Sequence, residues 1–137
     1  MNNSRIRISE CGLRGQKMNV KKQDLKERTK RFALKVIKLV ETLPRGRTAD
    51  TLGRQLLNAG TSVGTNYRAA CRARSTADFI SKMGIVEEES DETIYWVELL
   101  IHSALVRKED VIDLLDEGNQ LLAINVSSIR TARRNKK

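Results

Sequence analysis

A single proline, Pro44, interrupts a chain of 137 residues. Inside a helix proline removes a backbone donor and clashes with the preceding turn, so the long stretches on either side of position 44 are free to be helical. From Asp24 to Leu43, Leu25, Phe32, Val36, Leu39 and Leu43 fall at helical spacing, and Ala33, Ile37 and Val40 widen the stripe. Lys26, Lys30, Arg31, Lys35 and Lys38 occupy the remaining faces. This pattern predicts an amphipathic helix that Pro44 and Gly46 bring to an end.

Beyond the loop PRGRTAD, Thr48 or Asp50 is expected to cap the next helix, because a short side-chain oxygen accepts from unpaired amides of a first turn. Ser75-Thr76-Ala77-Asp78 reads as a capping box with Asp in place of the usual Glu. After it Phe79, Met83, Val86, Ser90, Ile94, Val97, Ile101 and Ala104 alternate in spacings of three and four. That predicts a helix of roughly 30 residues, about 45 Å long at the standard rise. Lys108 to Asp110 marks the next joint, where Glu109 and Asp110 suit the positive end of a helix dipole. Val111, Leu114, Leu115, Gly118, Leu121, Leu122, Asn125 and Ile129 form the last stripe, and the tail TARRNKK is expected to fray.

The segment from Asp50 to Arg74 admits two readings. Gly60 and Gly64 among Thr61, Ser62 and Thr65 resemble a phosphate-cradling loop, but such a loop follows a strand and carries a Lys after its last glycine. Here Asn66 follows Thr65, and no strand precedes. As a helix the segment places Leu52, Leu56, Ala59 or Gly60, Val63, Tyr67, Ala70 and Cys71 on one face, opposite Arg54, Asn58, Thr61, Thr65, Arg68 and Arg72. Each interior glycine costs about 1 kcal/mol relative to Ala, which close approach of a neighbouring helix offsets. Four helices with short joints predict an all-α, antiparallel up-down-up-down bundle.

Charge is distributed unevenly. Residues 1–75 hold 18 Lys or Arg against 5 Asp or Glu, residues 76–125 hold 3 against 12, and the last twelve hold 5 against none. A basic half points to nucleic acid; alternatively, the two halves neutralise each other within a chain or between subunits. Cys11 and Cys71 read as reduced thiols, and the short apolar runs exclude a membrane span, so a soluble cytoplasmic protein is expected. No catalytic group, metal site or cofactor is expected. His102 stands four residues from Glu98, not the three of a di-metal carboxylate motif, and no nucleophile is spaced to it.

The run DLKERTKRFALKVIKLVETLP, the small-residue helix leading into Asn66-Tyr67-Arg68-Ala69-Ala70, then Arg72, Arg74 and Ser75, and finally Glu92-Thr93-Ile94-Tyr95-Trp96 resemble the four helix bundle protein family, also called the 23S ribosomal RNA intervening-sequence protein family. The similarity covers about residues 24 to 132, nearly a whole domain. It implies a bundle without enzymatic activity, related to the accessory variability protein of diversity-generating retroelements, a homopentameric ring with a basic surface for a reverse transcriptase and nucleic acid. A ring-like homo-oligomer, a pentamer by this resemblance, is therefore expected. So are a disordered extension over 1–21, a bundle over 22–132 and a basic tail over 133–137.

Arg45, Arg47, Arg54, Arg68, Arg72 and Arg74, with Lys26, Lys30, Lys35 and Lys38, are the expected contacts to RNA or DNA, since several cations together release counterions from a polyanion. Tyr67, Tyr95, Trp96, Glu88 and Glu92 are the expected subunit-interface residues; neighbouring Tyr95 and Trp96 point about 100° apart and cannot share one core. Ordinary bundle packing explains the aromatics equally well. The alternative function is a structural homo-oligomer or protein-interaction scaffold that binds no nucleic acid.

Overall fold

The computed structural model describes residues 16–135, with side chains from Asp24 onward. Its four helices are α1 (Gln16–Glu41), α2 (Arg47–Cys71), α3 (Thr76–His102) and α4 (Lys108–Asn135). They form the expected up-down-up-down bundle. Most of the anticipated extension over 1–21 lies outside the described residues, while α1 itself begins ahead of Asp24.

Each helix buries positions alternating three and four apart, so a narrow seam on every helix faces the common core. On α2 the buried series is Ala49, Gly53, Leu56, Gly60, Val63, Tyr67 and Ala70. On α3 it is Phe79, Met83, Val86, Ser90, Thr93, Val97 and Leu100, with Thr93 and Leu100 where Ile94 and Ile101 were expected. Thr93 can be buried because its hydroxyl donates to the Glu89 carbonyl at 2.8 Å. The α4 series includes Val111, Leu114, Gly118, Leu121, Asn125, Ser128 and Ala132. Asn125 Nδ2 donates to Ser90 Oγ at 3.1 Å, and that hydroxyl donates to the Val86 carbonyl at 2.8 Å. This buried polar pair fixes the register of α4 on α3, since a slip by one residue leaves the amide unpaired.

The glycines of α2 are contact points, as the helical reading required. A Cβ on Gly60 would stand 2.8 Å from both Val36 methyls, and one on Gly64 would stand 3.1 Å from Thr29 Oγ1. Gly53 faces Leu43 in the same way at 3.1 Å. Numbers rise along α1 as they fall along α2, so the two helices run antiparallel along a glycine seam. The α1–α4 junction is held by Arg28, whose guanidinium donates to Glu117 from Nε at 2.7 Å and from Nη2 at 3.1 Å, and to Gln120 from Nη2 at 2.7 Å.

Two helix ends differ from expectation. α2 starts at Arg47 with Gly46 as its cap, not Thr48 or Asp50, and no side chain caps it. Gly46 has φ 155 and ψ 158, a region open essentially to glycine alone; the Asp50 amide closes the first turn on the Gly46 carbonyl at 2.9 Å. α4 continues through Asn135, because Ile129 and Ala132 are buried and dock its last turns, so the described part of the TARRNKK tail is helical where fraying was expected; Lys136 and Lys137 lie outside the described residues. The Ser75 cap is as expected: its hydroxyl accepts from the Asp78 amide at 3.0 Å. Asp78 accepts in turn from Lys82 Nζ at 2.6 Å and from the Arg74 amide at 3.2 Å.

Gly60→Ala should destabilise the fold. The helix gains about 1 kcal/mol of propensity, but the stiff β-branched Val36 cannot swing away, and overpacking costs about 1–3 kcal/mol. At Gly84, by contrast, a Cβ would meet nothing within 4 Å, so Gly84→Ala should stabilise by about 1 kcal/mol. Urea melts of both variants at one protein concentration check the opposite signs. A third variant addresses pH. The Lys82 hydrogen bond, then that of the Arg74 amide, lowers the Asp78 pKa from its ordinary 3.8. The carboxylate therefore contributes stability above that value, lost as pH falls through its depressed folded-state pKa. Asp78→Asn should lower Tm at neutral pH, with the difference from the unaltered chain closing towards acid.

Candidate nucleic-acid interface

The glycine seam brings α1 and α2 so close at their contact line that their outer flanks leave a groove of about 620 Å³ beside the middle of α1 and the C-terminal half of α2. Lys26, Lys30 and Ala33 line the α1 wall, and Thr61, Thr65, Arg68 and Arg72 line the α2 wall. Gly64 and Thr29 form its floor, where they already pack on each other. Glu27 is the one carboxylate of the lining. The threonine protons are committed locally: Thr29 donates to the Lys26 carbonyl at 3.0 Å, Thr61 to that of Leu57 at 2.8 Å and Thr65 to that of Thr61 at 3.0 Å. Arg72 turns back along its helix, donating to the Arg68 carbonyl at 3.3 Å. The character of the groove is therefore set by four cations from two helices.

A second, shallower hollow of about 340 Å³ lies at the other end of the seam, where Arg45 and Arg54 stand over Val40, Leu43, Ala49 and Gly53, with Asp50 beside them. Fourteen residues separate Arg54 from Arg68, about 21 Å along a helix. The expected contacts thus divide. Lys30, Arg68 and Arg72 come together with Lys26, and Arg45 comes together with Arg54, whereas Lys35, Lys38, Arg47 and Arg74 are exposed outside both hollows.

The described ion pairs contribute little neutralisation of the basic half by the acidic helices. Among the described residues, Arg28–Glu117 is the one ion pair that joins the basic α1–α2 half to an acidic helix; Lys82–Asp78 and Arg107–Asp110 are local to their own helices. Sequence reasoning did not single out the Arg28 clasp. Its signal was the place of Arg28 between Leu25 and Phe32, at the edge of the buried stripe where a long side chain reaches the next helix.

Of the expected interface residues, Tyr67 is 0% exposed within the chain's own core and leaves no surface for a second subunit. Tyr95 is 51% exposed, while Trp96 is half-buried against the core, its ring edge-on to Tyr95 with centroids 5.1 Å apart. Glu88 and Glu92 are exposed on the same helix. Burial, then the charges of Glu92 and Glu88, pushes the Glu89 carboxyl above its ordinary range; a cation brought to this face would relieve it. His102 is exposed at the end of α3, and Cys71 is buried at the end of α2. Among the described residues no three His, Cys, Asp or Glu side chains gather as metal ligands, and no helix is long and apolar enough to cross a membrane.

No curated protein matches this sequence. Among solved structures, a protein of unknown function from the S23 ribosomal protein family of Bacteroides thetaiotaomicron VPI-5482 is similar, with 32% identity and a TM-score of 0.74 over 80% of this chain and 98% of that one. The family model described as 23S rRNA-intervening sequence protein matches residues 21–127. With the four-helix architecture in place over the same span, the chain belongs to the 23S rRNA-intervening sequence protein family.

Proposed function

We propose that the chain is a non-enzymatic, cytoplasmic, oligomeric bundle that binds RNA or DNA through the phosphate backbone, using the basic faces of α1 and α2, as an accessory to a nucleic-acid-processing partner. One observation carries this reading: among the described residues, Arg28 with Glu117 is the one ion pair between a cation of α1 or α2 and a carboxylate of α3 or α4. Unpaired arginines and lysines gathered on one side hold condensed anions loosely and exchange them for phosphates, releasing counterions from the nucleic acid. The groove has no aromatic lining, so base stacking contributes little and binding follows the backbone. No cofactor takes part.

Titration of labelled RNA and DNA tests this. Binding is expected at low salt, with log K falling against log salt by about 0.7–0.9 per phosphate contact, hence a slope of about −3 to −5 for four to six contacts. No binding at low salt refutes it.

A specific strip favours self-association as the second element of the reading. Ile85 is 40% exposed and Tyr95 51% exposed, with Glu88 and Glu92 between them at helical spacing on α3. Gly84 beside them has open space around it. Large apolar groups interleaved with acids on one helix suit a subunit contact rimmed by charge, and the family resemblance makes the pentamer the expected assembly. Light scattering at micromolar concentration should give an oligomer mass that Tyr95→Asp lowers towards the single chain. A monomer mass for the unaltered protein refutes the oligomer, and a stable oligomer that binds no nucleic acid selects the scaffold alternative.

A further inference from the structure

We infer that the groove between α1 and α2 is a track for a single phosphodiester strand, indifferent to base sequence and to the sugar, and that it is the principal nucleic-acid site of the chain. This rests on the nucleic-acid reading above and specifies its ligand. Lys26 and Lys30 stand one turn apart on one wall, Arg68 and Arg72 one turn apart on the other. Side chains so spaced are about 6 Å apart along a helix, close to the separation of successive phosphates on an extended strand. Two adjacent phosphates can therefore be held between cations of the two walls.

The shape selects one strand. A hollow of about 620 Å³ falls within the range that takes a small ligand, which is room for a short run of one backbone and far less than a duplex occupies. The floor favours close approach, since Gly64 has no side chain and Ala33 on the wall beside it has only a methyl. Selectivity for sugar or base would need free donors or stacking surfaces. The lining has no aromatic ring, and the hydroxyls of Thr29, Thr61 and Thr65 already donate to their own helix. Glu27, exposed at the rim, opposes the ligand's charge.

Fluorescence anisotropy with oligo-U, oligo-dT and a DNA duplex of equal length tests the assignment on the full chain. The two single strands should bind alike, and tighter than the duplex by about tenfold. Lys30 and Arg68 are exposed, so the double variant K30E/R68E should keep its helicity and melting temperature, weaken single-strand binding by about tenfold or more and flatten the salt slope. R45E/R54E, an equal charge change in the other hollow, should weaken it far less. Thr65→Leu fills the groove without altering charge and should weaken binding, whereas Glu27→Gln should strengthen it. Undiminished binding by K30E/R68E, or an equal loss in R45E/R54E, overturns the groove alone. Duplex binding as tight as single-strand binding overturns the single-strand assignment. If K30E/R68E dissociates the oligomer while retaining nucleic acid, the groove belongs instead to acidic residues of a second copy. Absence of all binding by the unaltered chain overturns the parent reading as well.

Discussion

The contact of Gly60 with Val36 is the constraint on which the bundle is arranged. A helix backbone normally keeps its neighbour about 8–10 Å away because side chains intervene; here a valine lies directly on a bare Cα, where a Cβ would come within 2.8 Å of its methyls. The same closeness recurs at Gly53 and Gly64, so α1 is drawn in along much of α2. Each glycine gives up about 1 kcal/mol of helix propensity, and the packing of fully buried Val36 and Phe32 against the shared core recovers it. The seam also fixes the outer surface. Helices that touch backbone to side chain at their contact line must diverge above it, and the hollow left there is lined by whatever the flanking positions carry.

What α2 supplies in tight contact, α4 supplies by a polar clasp. Arg28 meets Glu117 through two nitrogens, with side chains only 16% and 19% exposed. A bidentate pair in this setting is directional, so it sets the level of α4 against α1 where apolar contact is sparser. Glu117 precedes Gly118, whose bare Cα admits Ile94 and the tip of the Phe32 ring. Buried Asn125 on Ser90 performs the corresponding task between α3 and α4. Register between neighbours thus rests on a few specific contacts, while the leucines and valines of the seam supply most of the burial.

Much of this was legible in the sequence because alternating spacings of three and four are visible without coordinates. The α2 face containing Leu56, Val63, Tyr67 and Cys71 is buried as that pattern required, and Ser75 caps α3 through a local interaction that four residues specify. Features that depend on a second helix were harder to see. Thr93 outranks Ile94 for the core because a hydroxyl can satisfy itself on its own helix, and hydrophobicity alone ranks the two the other way. Gly46 outranks Thr48 as a cap because backbone conformation, not side-chain chemistry, ends that loop. Tyr67 was expected both on the apolar face of α2 and at a subunit interface, and its full burial within the chain fits only the first. The basic set was visible as a list of arginines and lysines; its division into a groove at one end and an apolar hollow at the other follows from how α1 lies on α2.

The separation of charge in this fold has a physical consequence at working ionic strength. Acidic residues of α3, such as Glu88 and Glu92, and the cations of the α1–α2 groove are exposed on different helices of the bundle. Outward-facing positions on different helices are set apart by about a helix diameter, 10–12 Å with side chains. At physiological salt the Debye length is about 8 Å, so beyond contact range the acidic face is largely screened from an anion approaching the groove. The net charge of +9 therefore understates the local potential at Lys26, Lys30, Arg68 and Arg72. What reduces that potential is the carboxylate within the groove itself, Glu27. Charge for charge, an acid at the rim has more influence on a bound phosphate than one on a distant face, because proximity governs in screened solution.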